Sequence, residues 1–166
     1  MTNTTLDSQP PEPTHAEGDG LEADTTDQGT KPDYFVERDG VSFAGMHLLI
    51  DLWGARNLDD EAFIRDALAR SAEACGATVL HIHLHQFLES GGISGVAVLA
   101  ESHISIHTWP ERGFAAIDIF MCGDCDPDGA IPVLKAHFQP RNIQINEQRR
   151  GLARGLARGL ARGLTG

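Results

Sequence analysis

Residues 99–111 read LAESHISIHTWPE and residues 114–121 read FAAIDIFM, and these two stretches decide how the chain folds. Both are β-like in composition, and Pro110 and Gly113 mark a turn between them. The residues directly before them are β-like as well. We therefore predict three consecutive strands in this region: Gly95–Glu101, Ser102–Thr108 and Phe114–Met121.

Helices and further strands flank this region on both sides. Asp59 or Asp60 is a suitable N-cap for a helix that ends near Ala74, with Gly76 as the glycine that follows it. Asp126 followed by Pro127 predicts the start of a second helix, which ends near Phe138. Three more strands are predicted: His47–Trp53, Thr78–Phe87 and Ile143–Asn146. This succession is not a repeated βαβ unit, so it predicts an α+β fold, a layer of mostly antiparallel sheet with helices on one face.

Length and charge exclude several classes of protein. The chain has 166 residues, which is the size of one domain. Its formal net charge is −11, which argues against binding of nucleic acid because that requires a basic face. No run approaches the roughly 20 apolar residues of a membrane span. No secretory signal is recognisable, and three cysteines do not form a disulfide framework. We expect a cytoplasmic protein without a membrane or nucleic-acid partner.

The two ends of the chain differ in composition from the middle. Residues 1–33 are mostly Thr, Pro, Gly, Asp and Glu, which cannot bury enough apolar surface to fold. The tetrapeptide GLAR recurs three times between 151 and 162. We therefore divide the chain into an acidic disordered tail at 1–40, one folded domain at 41–148 and a low-complexity basic tail at 149–166.

Two patterns could bind a metal ion. Cys122 and Cys125 form a CxxC motif, which occurs in zinc and redox sites, but a closed zinc site needs further ligands. The side chains of His81, His83 and His85 share one face of a predicted strand and could hold a metal ion. We favour the simpler interpretation that these imidazoles line a polar, partly exposed sheet face. A polyamine- or metal-binding module without catalysis is an alternative that rests on this strand.

The segment 101–111, ESHISIHTWPE, resembles the self-cleavage motif of bacterial and archaeal S-adenosylmethionine decarboxylases. The likeness extends from the segment GISG at 92–95 to Cys122 and Gly123, and covers about residues 45–148. The motif is long and ungapped, so the resemblance is specific. It implies the same layered α+β fold and no metal ion.

The resemblance also implies a reaction. The proenzyme would cut itself between Glu101 and Ser102 into a β chain and an α chain, and Ser102 would become a covalent pyruvoyl group, the enzyme's only cofactor. This group forms a Schiff base with the substrate amine and acts as an electron sink while CO₂ leaves. The implied substrate is S-adenosylmethionine, whose product is the aminopropyl donor for spermidine. Decarboxylation of ornithine or arginine is the alternative, because the cleavage motif serves both.

The family's functional residues match positions of this chain. His107 and Ser94 correspond to the residues that assist processing, and Cys122 corresponds to the proton donor. Phe87 and Glu111 correspond to the residues that bind adenine and ribose. Ser102 and His107 are separated by an odd offset, so we expect them on opposite faces of a strand, and His107 to reach Ser102 where the chain bends or across the cleavage junction. The family works as a dimer of cleaved protomers, which we also expect here.

Overall fold

A computed structural model describes residues 35–152. Strands β1 and β2 form a small hairpin, and β3 to β8 form one six-stranded sheet with the order β4-β5-β6-β7-β3-β8. All strand pairs are antiparallel. The elements, in chain order, are β1 Val36–Arg38, β2 Val41–Phe43, β3 Gly45–Trp53, α1 Glu61–Ala74, β4 Val79–Gln86, β5 Ile93–Leu99, β6 Ser102–Trp109, β7 Phe114–Met121, α2 Ala130–Phe138 and β8 Asn142–Arg150.

The core lies on one face of the sheet, beneath the two helices. Alternate residues of β3, β6 and β7 point toward α1 and α2, and each has a relative exposure of 1% or less: Leu48, Ile50, Ile104, Ile106, Ile117 and Ile119. The intervening residues point to the opposite face of the sheet, which no helix of the described region covers and which we call the open face. These findings confirm the α+β layer with helices on one side.

Helix α1 follows its sequence signals closely. The carboxylate of Asp60 accepts a hydrogen bond from the backbone N–H of Phe63 at 3.0 Å, and Gly76 follows the helix with a φ of 77°. The second helix begins later than predicted. Asp126 caps a 3₁₀ turn at Pro127–Gly129 instead, and α2 starts only at Ala130. Gly129 lies so close to the carbonyl of Ala74 that a Cβ would collide with it, which fixes this junction against α1.

Of the predicted strands, β7 has the predicted bounds, β3, β4 and β6 differ from them by one or two residues, and β5 and β8 differ for reasons that the strand pairing shows. The strand expected at Gly95–Glu101 is β5 at Ile93–Leu99, because Ala100 and Glu101 form a two-residue turn between Leu99 and its register partner Ser102. The final strand is longer than the predicted Ile143–Asn146, because β8 pairs with the whole of β3 and ends at Arg150.

The assignment of residues 1–40 to a disordered tail is wrong for its last residues. Asp39 and Gly40 both have positive φ and join β1 to β2. Phe43 is 1% exposed, and the guanidinium of Arg149 lies 5.3 Å from the centre of its ring. Arg149 also lies 3.6 Å from the carboxylate of Asp39, so a residue assigned to the basic tail holds the hairpin. Residues 1–34 and 153–166, the rest of both predicted tails, lie outside the described residues.

No helix within residues 35–152 is both long and apolar enough to cross a membrane.

Candidate active site

The predicted cleavage junction lies in the tight turn between β5 and β6. Glu101 has a φ of 69°, a left-handed conformation that costs a non-glycine residue roughly 1–2 kcal/mol. Ser102 begins β6 and is 7% exposed, and its Oγ accepts a hydrogen bond from the backbone N–H of Cys122 at 3.1 Å. The peptide bond between the two residues therefore follows a residue with a strained backbone. The hydroxyl of the next residue is held in place by a hydrogen bond.

Cys122 directly follows β7, beside this turn. Burial raises the pKa of its thiol, and the nearby Glu101 carboxylate raises it further. The thiol is therefore protonated at neutral pH. Cys122 and Glu101 line a cavity of about 250 Å³, together with Phe35, Ala100, Gly123, Asp124 and Cys125. A protonated thiol thus lies at the wall of a small cavity next to the predicted cleavage junction.

Ser94 and His107 meet at the other end of the same strands. They are register partners on β5 and β6, and the Oγ of Ser94 lies 2.7 Å from the Nδ1 of His107. Both side chains lie on the open face. The structure therefore brings together the two residues predicted to assist processing.

The two predicted substrate-binding residues lie at that same end. Phe87 follows β4 and is 47% exposed, and its loop lines a cavity of about 700 Å³. The loop is fixed by two backbone hydrogen bonds of 2.8 Å, from Phe87 N–H to Gly92 O and from Gly91 N–H to Phe87 O. Glu111 is exposed in a 3₁₀ turn at Pro110–Arg112, directly after β6.

The predicted residues thus form two groups at opposite ends of β6. We call the group of Glu101, Ser102 and Cys122 the cleavage end, and the group of Phe87, Ser94, His107 and Glu111 the imidazole end. The strand β6 runs without interruption from Ser102 to Trp109, so the bend that we considered from the sequence is not found. Ser102 and His107 are five positions apart on this strand, which corresponds to roughly 16 Å. Within one chain the two ends cannot react with each other.

The sequence offered two further patterns as candidate metal sites, the three histidines of one strand and the CxxC motif. His81, His83 and His85 are exposed on the edge strand β4, as we favoured from the sequence. The thiol of Cys125 donates to the carbonyl of Gly76 at 3.6 Å. Within residues 35–152, no group of three His, Cys, Asp or Glu side chains is arranged to hold a metal ion.

Sequence analysis missed two residues near these groups. Phe35 lines the cavity at the cleavage end, and no sequence signal connects it with Cys122 because it lies far away in the chain. His85 contacts the ring of Phe87, with ring centres 4.9 Å apart. This second contact could have been predicted, because His85 and Phe87 are two residues apart and alternate residues of a strand share a face.

Comparison with known proteins agrees with the resemblance of the cleavage motif. Residues 46–151 match the family model described as S-adenosylmethionine decarboxylase. The chain is 39% identical over 109 residues to the S-adenosylmethionine decarboxylase proenzyme of Thermomicrobium roseum, covering 65% of this chain and 94% of that one. It is 46% identical over 110 residues to the proenzyme of the same name from Methanococcus aeolicus, covering 64% of this chain and 93% of that one.

A solved structure shows the same likeness in three dimensions. The crystal structure of the adenosylmethionine decarboxylase from Aquifex aeolicus matches with a TM-score of 0.57 and 34% sequence identity. The match covers 66% of this chain and 92% of that one. The fold of this chain is therefore similar to that of an enzyme of known structure.

Proposed function

The chain belongs to the S-adenosylmethionine decarboxylase family, and from this premise we propose that it decarboxylates S-adenosylmethionine after cutting its own backbone between Glu101 and Ser102. The product would be the aminopropyl donor for spermidine, made in the cytoplasm. No finding favours ornithine or arginine as the substrate. The single observation that carries the proposal is the geometry of the cleavage turn.

The cleavage turn supplies what self-processing needs. The Ser102 Oγ attacks the carbonyl carbon of Glu101, the peptide C–N bond breaks, and an ester takes the place of the amide. The N–H of Cys122, which donates to this Oγ, stabilises negative charge on the attacking oxygen. Relief of the left-handed backbone at Glu101 favours the cut. Elimination then frees the carboxylate of Glu101, and hydrolysis with loss of ammonia converts Ser102 to the pyruvoyl group.

The surroundings of Ser102 fit such a group. Residue 102 is the first residue of β6 and lies beside a cavity that Cys122 lines. A pyruvoyl group at this position would have space for a substrate and a proton donor next to it. A pyruvoyl group supplies a ketone that takes up the electron pair when CO₂ leaves. The protonated Cys122 thiol is then suited to donate a proton to the substrate carbon that lost its carboxylate.

The imidazole end has the residues that assist this chemistry. An imidazole can accept a proton at neutral pH, so His107 is suited to take the proton of the Ser102 hydroxyl. Ser94 fixes the orientation of the His107 ring through their hydrogen bond. Phe87 offers a half-exposed aromatic face for the adenine, and Glu111 offers a carboxylate for the ribose hydroxyls.

Because the two ends lie roughly 16 Å apart, we infer that two copies of the chain complete each site. The open face carries four large apolar side chains that are 40–43% exposed: Leu49, Trp53, Val98 and Trp109. An antiparallel sheet that faces water is normally polar on that side. Packing two open faces about a two-fold axis buries these residues and can bring the imidazole end of each copy to the end of the sheet where the other copy has its cleavage turn.

The purified chain tests this proposal by its mass. Wild type should consist of a β chain of 101 residues and an α chain of 65, and should release CO₂ from S-adenosylmethionine. Ser102→Ala should remain one chain of 166 residues without activity. A wild-type protein that stays uncut would overturn the proposal, and equal activity on ornithine or arginine would overturn its substrate.

A further inference from the structure

The three histidines of β4 are not equivalent in the structure. The rings of His81 and His83 lie 6.4 Å apart and nearly parallel, and both are exposed. The ring of His85 instead lies 4.9 Å from that of Phe87 at an interplanar angle of 78°. This is a perpendicular aromatic contact, a geometry that favours one relative orientation of the two rings.

His85 also adjoins the other half of the imidazole end. Its register partner across the β4–β5 pair is Ser94, and the register partner of Ser94 across the next pair is His107. One row across the open face therefore contains His85, Ser94 and His107. His85 links this row to the loop that carries Phe87.

Phe87 requires such support because its ring is on a surface loop. Its backbone is fixed by hydrogen bonds with Gly91 and Gly92, but these bonds do not restrict rotation of the side chain. A half-exposed ring that is free to rotate loses that freedom when a flat ligand stacks on it, which weakens binding. A neighbouring ring at a right angle restricts this rotation before the ligand arrives.

We propose that His85 is a positioning residue that holds the ring of Phe87 in the plane on which the adenine of the substrate stacks. The inference rests on the proposed function, because it takes Phe87 as the wall of the adenine site. It assigns to His85 an effect on substrate binding and none on cleavage of the backbone or on the decarboxylation step.

The expected effect is selective. His85→Ala should raise KM for S-adenosylmethionine about two- to tenfold, the factor expected from loss of one aromatic pair. Self-cleavage, measured by chain mass, and kcat should stay at wild-type values. His85→Phe should restore KM, because a phenyl ring can make the same perpendicular contact.

The strand itself provides a matched control. His83 lies on the same face of β4, two residues earlier, and is also exposed, with Val96 as its register partner. His83→Ala should leave KM, kcat and self-cleavage unchanged. An equal rise of KM in His83→Ala would mean that the whole strand is perturbed, and would overturn the specific role of His85.

A double-mutant cycle separates this inference from the proposed function. Phe87→Ala should raise KM more than His85→Ala does, and adding His85→Ala to it should cause no further rise. If Phe87→Ala raises KM but the two effects multiply, His85 does not act through Phe87, and the inference fails while the proposed function stands. If Phe87→Ala leaves KM unchanged, the adenine site at Phe87 and the inference fail together.

Discussion

The two ends of β6 differ in burial, and this difference defines what each can do. At the cleavage end, a buried hydroxyl and a partly buried thiol lie next to a strained turn. At the imidazole end, His107 and Phe87 are exposed, and Phe87 lines a wide loop cavity. The first suits reaction with the chain's own backbone, and the second suits contact with a mobile ligand. A single strand carries both groups, and its own length keeps them apart.

The strongest test of this separation is complementation between two inactive variants. Ser102→Ala lacks a working cleavage end, and His107→Ala lacks a working imidazole end, so neither alone should cut itself. When both are expressed together, mixed dimers contain one site with an intact Ser102 and an intact His107. About half of the His107→Ala chains should then be cut, since random pairing gives mixed dimers half the time. The masses of the chains measure this fraction.

The control for this experiment is mixing after separate purification at high dilution, where mixed dimers cannot form. No cleavage is expected there. Two results would contradict the shared site: no cut chains after co-expression, or self-cleavage of His107→Ala alone at the wild-type rate. Either result would mean that the two ends of β6 do not complete each other across two copies.

A second test concerns the thiol at the cleavage end. Cys122→Ala should still cut itself, because the backbone N–H that holds Ser102 is retained, but turnover should fall on the order of 10²- to 10⁴-fold. The reason is that the proton donor is lost while the cleavage turn is unchanged. Chain mass and CO₂ release, measured on the same sample, separate the two effects.

Cys125 is the matched control for Cys122. It lines the same cavity and its pKa is also raised by burial, but its thiol is directed to the carbonyl of Gly76. Cys125→Ala should therefore keep nearly normal turnover. Equal losses in both variants would instead point to a joint role of the CxxC motif and would contradict the assignment of Cys122 alone.

The fold was predictable where its signals are local. Asp60 and Gly76 bound α1 as expected, because a cap and a following glycine act within one turn of the helix. The β1–β2 hairpin was missed although Asp39-Gly40 is a local turn signal, because each strand has only three residues and the hairpin is anchored by a residue distant in sequence, Arg149. The turn at Ala100 was missed because neither of its two residues is glycine or asparagine, the usual signals of such a turn.

The arrangement of the candidate residues was predictable from the sequence only in part. Alternation along the strand correctly placed Ser102 and His107 on opposite faces. The hydrogen bond from Cys122 to Ser102 spans twenty residues and depends on the register of β6 with β7, which one sequence does not determine. The contrast in burial between the two ends likewise follows from the tertiary structure.

A third test measures how the stability of the protein depends on pH, and it uses a largely buried histidine near the cleavage end. His47 lies on the open face of β3, and its side chain is 16% exposed. Burial lowers its pKa, and Arg150 and His103 lower it further, although Asp118, 3.6 Å away, acts in the opposite direction. Folded His47 thus binds a proton more weakly than unfolded histidine, whose pKa is about 6.5. The free energy of unfolding should therefore fall as the pH drops below about 6.5.

Denaturant unfolding between pH 7.5 and 5.5 measures this effect, and His47→Gln should flatten the dependence because glutamine does not titrate. Asp66, whose pKa is lowered from 3.8 by His137 and Arg70, loses its contribution only below this range and does not interfere. His81→Gln is the control, since it makes the same replacement at an exposed histidine of β4. If the free energy of unfolding of His47→Gln depends on pH as steeply as that of wild type, the burial of His47 is not the cause of the pH dependence. A flattened slope in His47→Gln but not in His81→Gln would show that the burial of His47 makes the free energy of unfolding depend on pH in this range.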